Sequence, residues 1–365
     1  MIRVIYVAPL VKERYRGGIM RIAECLSEVD AIAQFNYNNI KIEFFNSSVL
    51  NQSKNSEGKF SWENIKQALF LFFNLAKRVR RKDFDAIHFN ASAKFPLLKD
   101  QIIMFCIGLL TSKKIFFQIH YSGIEQTFLK SGFLKWLQLM LLKRFDKIIL
   151  LSENFKCQLL IEGFPCRKMY VLYNFHSVRN FQENSIQACR NRLQLLFIGS
   201  INRRKGFHDL LKVLVSLDVE YELNVLGDFA SDEMKQYVES FIADHNLRVR
   251  FHGYLSGSYK NDIIIASDIL VLPSYAEGFP MVIPEAMALG CAVISTNIAG
   301  IPEIVQDGIN GYLIKPGQID DLKKKLLHLY NNRDILKVFK ENNLKLAPNF
   351  SIESYINKLS LIYTN

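Results

Sequence analysis

No stretch of this 365-residue chain stays apolar for the ~20 residues a membrane-spanning helix needs; runs such as Ile102 to Leu110 stop well short. The first residues, MIRVIYVAPL, lack a small-residue cleavage site and are too short and β-branched for a signal peptide, so they read as a first strand. The six cysteines, Cys25, Cys106, Cys157, Cys166, Cys189 and Cys291, contain no CxxC pair, and no histidine cluster accompanies them at zinc spacing. They read as buried thiols of a reducing, cytoplasmic compartment. Aromatic stacking motifs and arginine-clustered helix-turn-helix patterns are also lacking, which argues against a nucleic-acid partner. With 49% hydrophobic and 22% charged residues the composition is that of a globular protein, and the length suits two domains.

The net charge of +11 is unevenly placed. Residues 1–177 hold 26 Lys and Arg against 14 Asp and Glu, whereas residues 178–365 hold 20 against 21. The whole positive excess lies in the first half. That asymmetry suits an anionic partner such as a membrane surface; a basic soluble face is the plainer alternative.

Short β-rich runs alternate with amphipathic stretches along the chain. Val4–Leu10, Ile40–Asn46, Asp85–Asn90, Lys114–His120, Lys147–Ser152 and Met169–Tyr173 read as strands, with helices over Ile19–Phe35, Trp62–Arg81 and Phe133–Arg144. After an aperiodic polar segment the pattern restarts with strands at Leu195–Gly199, Tyr221–Leu226, Arg248–Gly253, Asp268–Leu272, Ala292–Ser295 and Gly311–Ile314. This alternation predicts an α/β protein of two doubly wound parallel-sheet, Rossmann-like domains facing across a cleft: 1–177, a linker at 178–192, and 193–347. A closing helix over 350–365, after Pro348, is expected to pack back on the first domain.

Within the second half, EGFPMVIPEAMALG sets Glu277 and Glu285 on either side of a bend containing Gly278, Pro280 and Pro284. Glu277 falls in the loop at a strand's carboxyl end, the ligand-binding edge of such sheets, and Glu285 near the start of a short helix. Backbone N–H groups of Gly278, Phe279, Pro280's neighbours and Met281, ahead of Val282, are placed to meet a phosphate or sugar oxygen. The spacing alone fits equally well a Glu285 that complements the helix dipole and a Glu277 that is loop surface.

The run DILVLPSYAEGFPMVIPEAMALGCAVISTNIAGIPEIVQDGINGYLI, Asp268 to Ile314, is similar to the donor-binding region of family 4 retaining glycosyltransferases of the GT-B fold, sharing the E-x7-E spacing, the preceding PS, the EAMALG helix, and GIPEIV and DGING in order. APLVKERYRGGIMRIAECL resembles the family's first glycine loop, IHYSG its H-x-x-G, and FIGSINRRKGFHDLL its basic phosphate loop. The resemblance implies a nucleotide-sugar donor, a saccharide or polyprenyl-linked saccharide acceptor, retention of anomeric configuration, and no cofactor or metal ion. It implies that Glu285 accepts from the ribose diol, Glu277 from the transferred sugar, that Lys205 with Arg203 and Arg204 holds the diphosphate, that Gly17 and Gly18 approach the phosphates, and that His120 bonds the donor sugar. Glu277, His120 and Lys205 thereby form the expected catalytic group.

One position departs from the pattern: Ser200 stands where the family usually has an arginine, and a hydroxyl does not replace a guanidinium. Either Arg203 or Arg204 reaches in, or the diphosphate has one cation fewer; both arginines on the surface is the alternative. Asp83-Phe84-Asp85 has the form of a metal-binding Asp-x-Asp but sits at a strand's amino end, away from the ligand edge, so no divalent ion is expected there. Lys77, Arg78, Arg80, Arg81 and Lys82 close one helix, and SGFLKWLQLMLLKRF sets Trp136, Leu137, Met140 and Leu141 beside Lys135, Lys143 and Arg144. These predict peripheral association with an anionic membrane, on the inner face of the cytoplasmic membrane, although both helices, the second above all, suit ordinary packing on a sheet. With the resemblance, they suggest a transferase acting on lipid-linked saccharides of a bacterial surface polysaccharide. A nucleotide-sugar-binding protein without transferase activity, or a hydrolase or phosphorylase of the same fold, are the alternatives.

Overall fold

The computed structural model describes residues 1–10, 18–48, 62–178 and 192–364. The chain divides into two compact units, Met1–Asn174 with Ile352–Asn365, and Phe175–Ser351. The division falls slightly ahead of the expected boundary at 177 because His176 is tied to the second unit. Its N–H donates to Phe350 O at 2.8 Å and its Nε2 to Ala347 O at 3.1 Å. Residues 179–191, most of the expected linker, lie outside the described residues.

The first unit holds a parallel sheet of β1 (Ile2–Ala8), β2 (Ile40–Asn46), β3 (Ala86–Ala91), β4 (Lys114–Ile119), β5 (Lys147–Leu150) and β6 (Met169–Val171). Its strand order is β2-β1-β3-β4-β5-β6. Helices cover both faces, so strands such as β3 are buried along their whole length, the polar His88 and Asn90 included. The expectation of buried thiols holds for Cys25 and Cys291 but is corrected for Cys157 and Cys166, which are exposed. Phe89, Phe117 and Phe145 stack through the core, with ring centroids 5.7 Å and 4.5 Å apart.

The helix expected over Ile19–Phe35 is two helices, Gly18–Leu26 and Val29–Tyr37. Ser27 causes the break: its hydroxyl donates to Glu24 O at 2.8 Å, so the side chain competes for the turn's backbone, and Glu28 turns extended at φ −67°, ψ 152°. The closing helix, Ile352–Thr364, packs on the first unit, with Asn357 Oδ1 accepting from Gln34 and Asn38 and with Ile356 and Leu359 buried.

The second unit holds β7 (Leu193–Ile198), β8 (Tyr221–Leu226), β9 (Val249–Phe251), β10 (Ile269–Leu272), β11 (Ala292–Thr296) and β12 (Gly311–Ile314) in the order β12-β11-β10-β7-β8-β9, again all parallel. The chain builds outward from β7 through β8 to β9, then returns to β10 on the other side of β7. Between β7 and β10 the connections leave in opposite directions, which opens a crevice at the strands' carboxyl ends.

Candidate functional site

The loops that follow β7 and β10 meet at this switch point. After β7, Asn202 Oδ1 accepts from Lys205 N at 2.9 Å and so caps the single 3-10 turn Arg203–Lys205. Gly206 then turns left-handed at φ 70°, and a Cβ there would stand 2.0 Å from Pro273 O. Only glycine lets the loop pass so close to the end of β10. Beyond it runs the helix Phe207–Ser216. The two loops are joined by Tyr275 N donating to Arg204 O at 2.8 Å and by Arg204 Nη1 donating to Ala276 O at 2.9 Å.

That junction brings Lys205 against Glu277. Lys205 Nζ lies 2.6 Å from Glu277 Oε1, and Ser274 Oγ donates to the same oxygen at 2.7 Å. Glu285 lies in the first turn of the helix Val282–Ala288, and its Oε2 meets Lys260 Nζ, from the helix Gly257–Ile265, at 2.6 Å. Both glutamates are only 7% exposed, so each charge is compensated by a lysine at close range, as burial requires. A carboxylate offers about four lone-pair sites, and each glutamate can accept donors beyond its lysine. Between them, Gly278 O accepts from Gly300 N at 3.1 Å, Phe279 is buried with its ring 5.9 Å from that of Phe350, Pro280 is buried, and Met281 and Val282 are half-buried at the helix start.

Ser200 is exposed and accepts from Asn202 Nδ2 at 3.2 Å. The Arg204 side chain is engaged with the Ala276 carbonyl, whereas the side chain of the exposed Arg203 makes no hydrogen bond or ion pair among the described residues. Lys260 went unnoticed in the sequence because nothing in a helix 25 residues before Glu285 marks it; Ser274, inside the PS dipeptide, carried a signal.

In the first unit, Gly18 opens the helix Gly18–Leu26 and is exposed, and Gly17 lies outside the described residues. His120 follows β4 and is 9% exposed. Its Nε2 is 2.8 Å from Asn90 Oδ1, and its Nδ1 has no partner among the described residues. Burial pushes its pKa down to about 3, so the ring is neutral at pH 7.

Asp83 pairs with Arg78 Nη1 at 2.5 Å, and Asp85 accepts from Arg3 N at 2.9 Å with Lys113 3.6 Å away. These bonds hold both carboxyls below their usual range, the Arg78 hydrogen bond chiefly for Asp83 and the Arg3 amide for Asp85. Arg78 also binds Glu43 through two nitrogens, and its side chain is only 10% exposed. The expectation that Arg78 faces a membrane is therefore corrected: its charge is consumed within the fold. Trp136, at 56% exposed, and Phe133, at 67%, point outward, while Gln138, Leu141 and Leu142 supply the buried face of the helix Gly132–Leu142.

Residues 178–346 match the family of glycosyl transferases group 1. A protein of the cps region of Klebsiella pneumoniae is 24% identical over 80% of this chain and 83% of its own length. The capsular polysaccharide biosynthesis glycosyltransferase CapM of Staphylococcus aureus is 24% identical over 59% of this chain; the match spans 60% of CapM. Among solved structures, Anabaena HepE in complex with UDP superposes with a TM-score of 0.74 at 17% identity, covering all of both chains, which shows a shared fold. With the parallel sheet and the paired loops of the second unit, the family match assigns residues 178–346 to the group 1 glycosyltransferases.

Proposed function

We propose that the protein transfers a sugar from a nucleotide-sugar to a hydroxyl of a saccharide acceptor, with retention, in the synthesis of a bacterial capsule or lipopolysaccharide. The observation that carries this reading is the meeting of Lys205 and Glu277 at the switch point, with Glu285 on the helix that follows. Glu285 accepts from the ribose diol and Glu277 from hydroxyls of the transferred sugar. Lys205 holds the diphosphate with Arg203, which is exposed and uncommitted where Arg204 is not, and which thus stands in for the arginine missing at Ser200. His120 accepts from a hydroxyl of the sugar. The acceptor oxygen bonds to the anomeric carbon as the bond to the β-phosphate oxygen breaks, and that phosphate oxygen takes the acceptor proton. The cations meet the charge developing on the leaving group, so no metal ion is required.

CapM supports the pathway and HepE, which was solved with UDP, suggests the first nucleotide to try. A thermal-shift panel of UDP-, GDP-, ADP- and TDP-sugars tests the donor: a ligand at 100 times its Kd adds about 2.7 kcal/mol of stability. Product analysis with and without acceptor then separates transfer from hydrolysis. Activity is expected to survive EDTA, and loss on chelation with rescue by magnesium would overturn the metal-free reading.

The acceptor is proposed to be lipid-linked and met at an anionic membrane surface. Supporting this, the helix Trp62–Val79 exposes Leu69, Phe70 and Phe73, the helix Lys94–Leu110 exposes Phe95, Ile102, Leu109 and Leu110, and the helix Gly132–Leu142 exposes Phe133 and Trp136. These three helices pack side by side. A recess of about 330 Å³ beside Trp136 is lined by Lys135, Lys143 and Glu162. Apolar rings set among lysines suit the headgroup layer of such a membrane.

A further inference from the structure

At the carboxyl edge of the first sheet, two histidines each face an amide on the neighbouring strand, in opposite directions. His88 Nε2, on β3, lies 2.9 Å from Gln118 Oε1 on β4, and His120 Nε2, just past β4, lies 2.8 Å from Asn90 Oδ1 on β3. His88 is closed: its Nδ1 is 2.7 Å from the hydroxyl of Tyr363. His120 is open, because its Nδ1 is buried and has no partner among the described residues.

Asn90 decides what that open nitrogen is. Its Nδ2 donates to Val7 O at 3.0 Å, which fixes the amide's orientation. The oxygen therefore faces His120, and it also accepts from Tyr6 OH at 3.1 Å. An amide oxygen only accepts, so the hydrogen lies on His120 Nε2. In a neutral ring Nδ1 is then a bare lone pair. A buried acceptor left unpaired is unfavourable, and the deficit is relieved when a ligand hydroxyl arrives.

We propose that Asn90 is a positioning residue of the transfer site, which holds His120 as the Nε2–H tautomer so that Nδ1 is presented as an acceptor to a hydroxyl of the donor sugar. The inference rests on the reading of His120 given above. Tyr6 supports it from β1 by holding the Asn90 amide. Among the described residues, His120 is linked to two titratable groups, Tyr6 through Asn90 and His88, both neutral: burial raises the Tyr6 phenol's pKa and lowers that of His88 to about 3. Neither supplies a charge that would protonate Nδ1.

The test starts with the free protein. Histidine-labelled protein is examined by nitrogen NMR at pH 7, the His120 resonances being assigned by their loss in His120→Gln. The parent is expected to show protonated Nε2 and bare Nδ1. Asn90→Leu should release the tautomer toward Nδ1–H, and Asn90→Asp should retain Nε2–H while raising the ring's pKa, since a carboxylate favours imidazolium. Turnover of UDP-glucose, or of whichever panel sugar stabilises the protein most, should fall about tenfold or more in Asn90→Leu, the loss of roughly one hydrogen bond. In Asn90→Asp it should fall toward acid pH and recover as pH rises. A thermal melt by circular dichroism matching the parent's in both variants shows that they fold. A parent carrying its hydrogen on Nδ1, or an Asn90→Leu protein with parental spectrum and turnover, overturns the inference. If His120→Gln itself leaves turnover at the parental rate, it is the sugar-binding reading of His120 that fails.

Discussion

The polar groups clustered at the carboxyl edge of the first sheet are neutral, and those at the same edge of the second are charged. Around β3 and β4, Tyr6, His88, Asn90, Gln118 and His120 share hydrogen bonds in a buried setting, and burial holds both imidazoles uncharged at pH 7. Around β7 and β10, Glu277 and Glu285 are equally sheltered but keep their lysines at 2.6 Å. The same strand-end geometry thus carries two kinds of polar cluster. Neutral groups are ordered by the direction of a hydrogen bond, whereas the buried carboxylates are each held against a lysine.

The largest expected effect tests the neutral side by acid. His88 and His120 sit near pKa 3 when folded and near 6.5 when unfolded. Below pH 6.5 the unfolded chain binds protons that the folded one refuses, so stability falls as pH drops from about 6.5 to about 3, by roughly 1.4 kcal/mol per pH unit for each histidine. Urea unfolding followed across that range should show the slope, and His88→Gln should shallow it by one histidine's share. A stability flat with pH over the window would mean that the imidazoles are not buried neutral.

On the charged side, a smaller effect separates the two glutamates. Glu285→Gln should weaken nucleoside diphosphate binding by about 1.5–3 kcal/mol, the value of a charge-assisted hydrogen bond. Glu277→Gln should leave that affinity nearly intact and lower turnover of the sugar donor instead. Calorimetry of the diphosphate beside turnover of the donor reads both, and parental values for both variants would reduce the glutamates to a helix-dipole residue and a loop residue.

The smallest effects concern the outer helices of the first unit. Because Arg78 is consumed by Glu43 and Asp83, reversing it should disturb the fold rather than liposome binding. Lys143→Glu should weaken sedimentation with anionic liposomes by about 1 kcal/mol, and Lys135→Glu by less because its ammonium already pairs with Glu162 at 2.6 Å, with added salt acting in the same direction because the Debye length shortens. Unchanged sedimentation in both variants would rule out the helix Gly132–Leu142 as the contact.

Much of this was legible in the chain. Apolar runs such as IRVIYVA and LQLLFI declare parallel strands because helices cover both faces and no polar alternation is needed. The E-x7-E run declares its loop and short helix because Pro, Gly and the helix formers act within a few residues of one another. Local chemistry also broke the first helix at Ser27, but a serine of that kind is tolerated in many helices and was read through.

Partners distant in sequence were decided only by the fold. Glu277 waits on Lys205 from 72 residues away, Glu285 on Lys260, and His120 on Asn90 from the adjacent strand, and no local pattern ranks one lysine or asparagine above another. Arg78 looked like surface charge until the fold brought Glu43 of β2 against its guanidinium. The sequence by itself determined which segments become strands and helices, because those choices depend on period and on neighbours one turn away. Which buried groups end up charged, neutral or open to a ligand depends on what long-range packing brings within 3 Å, and only the tertiary structure decided that.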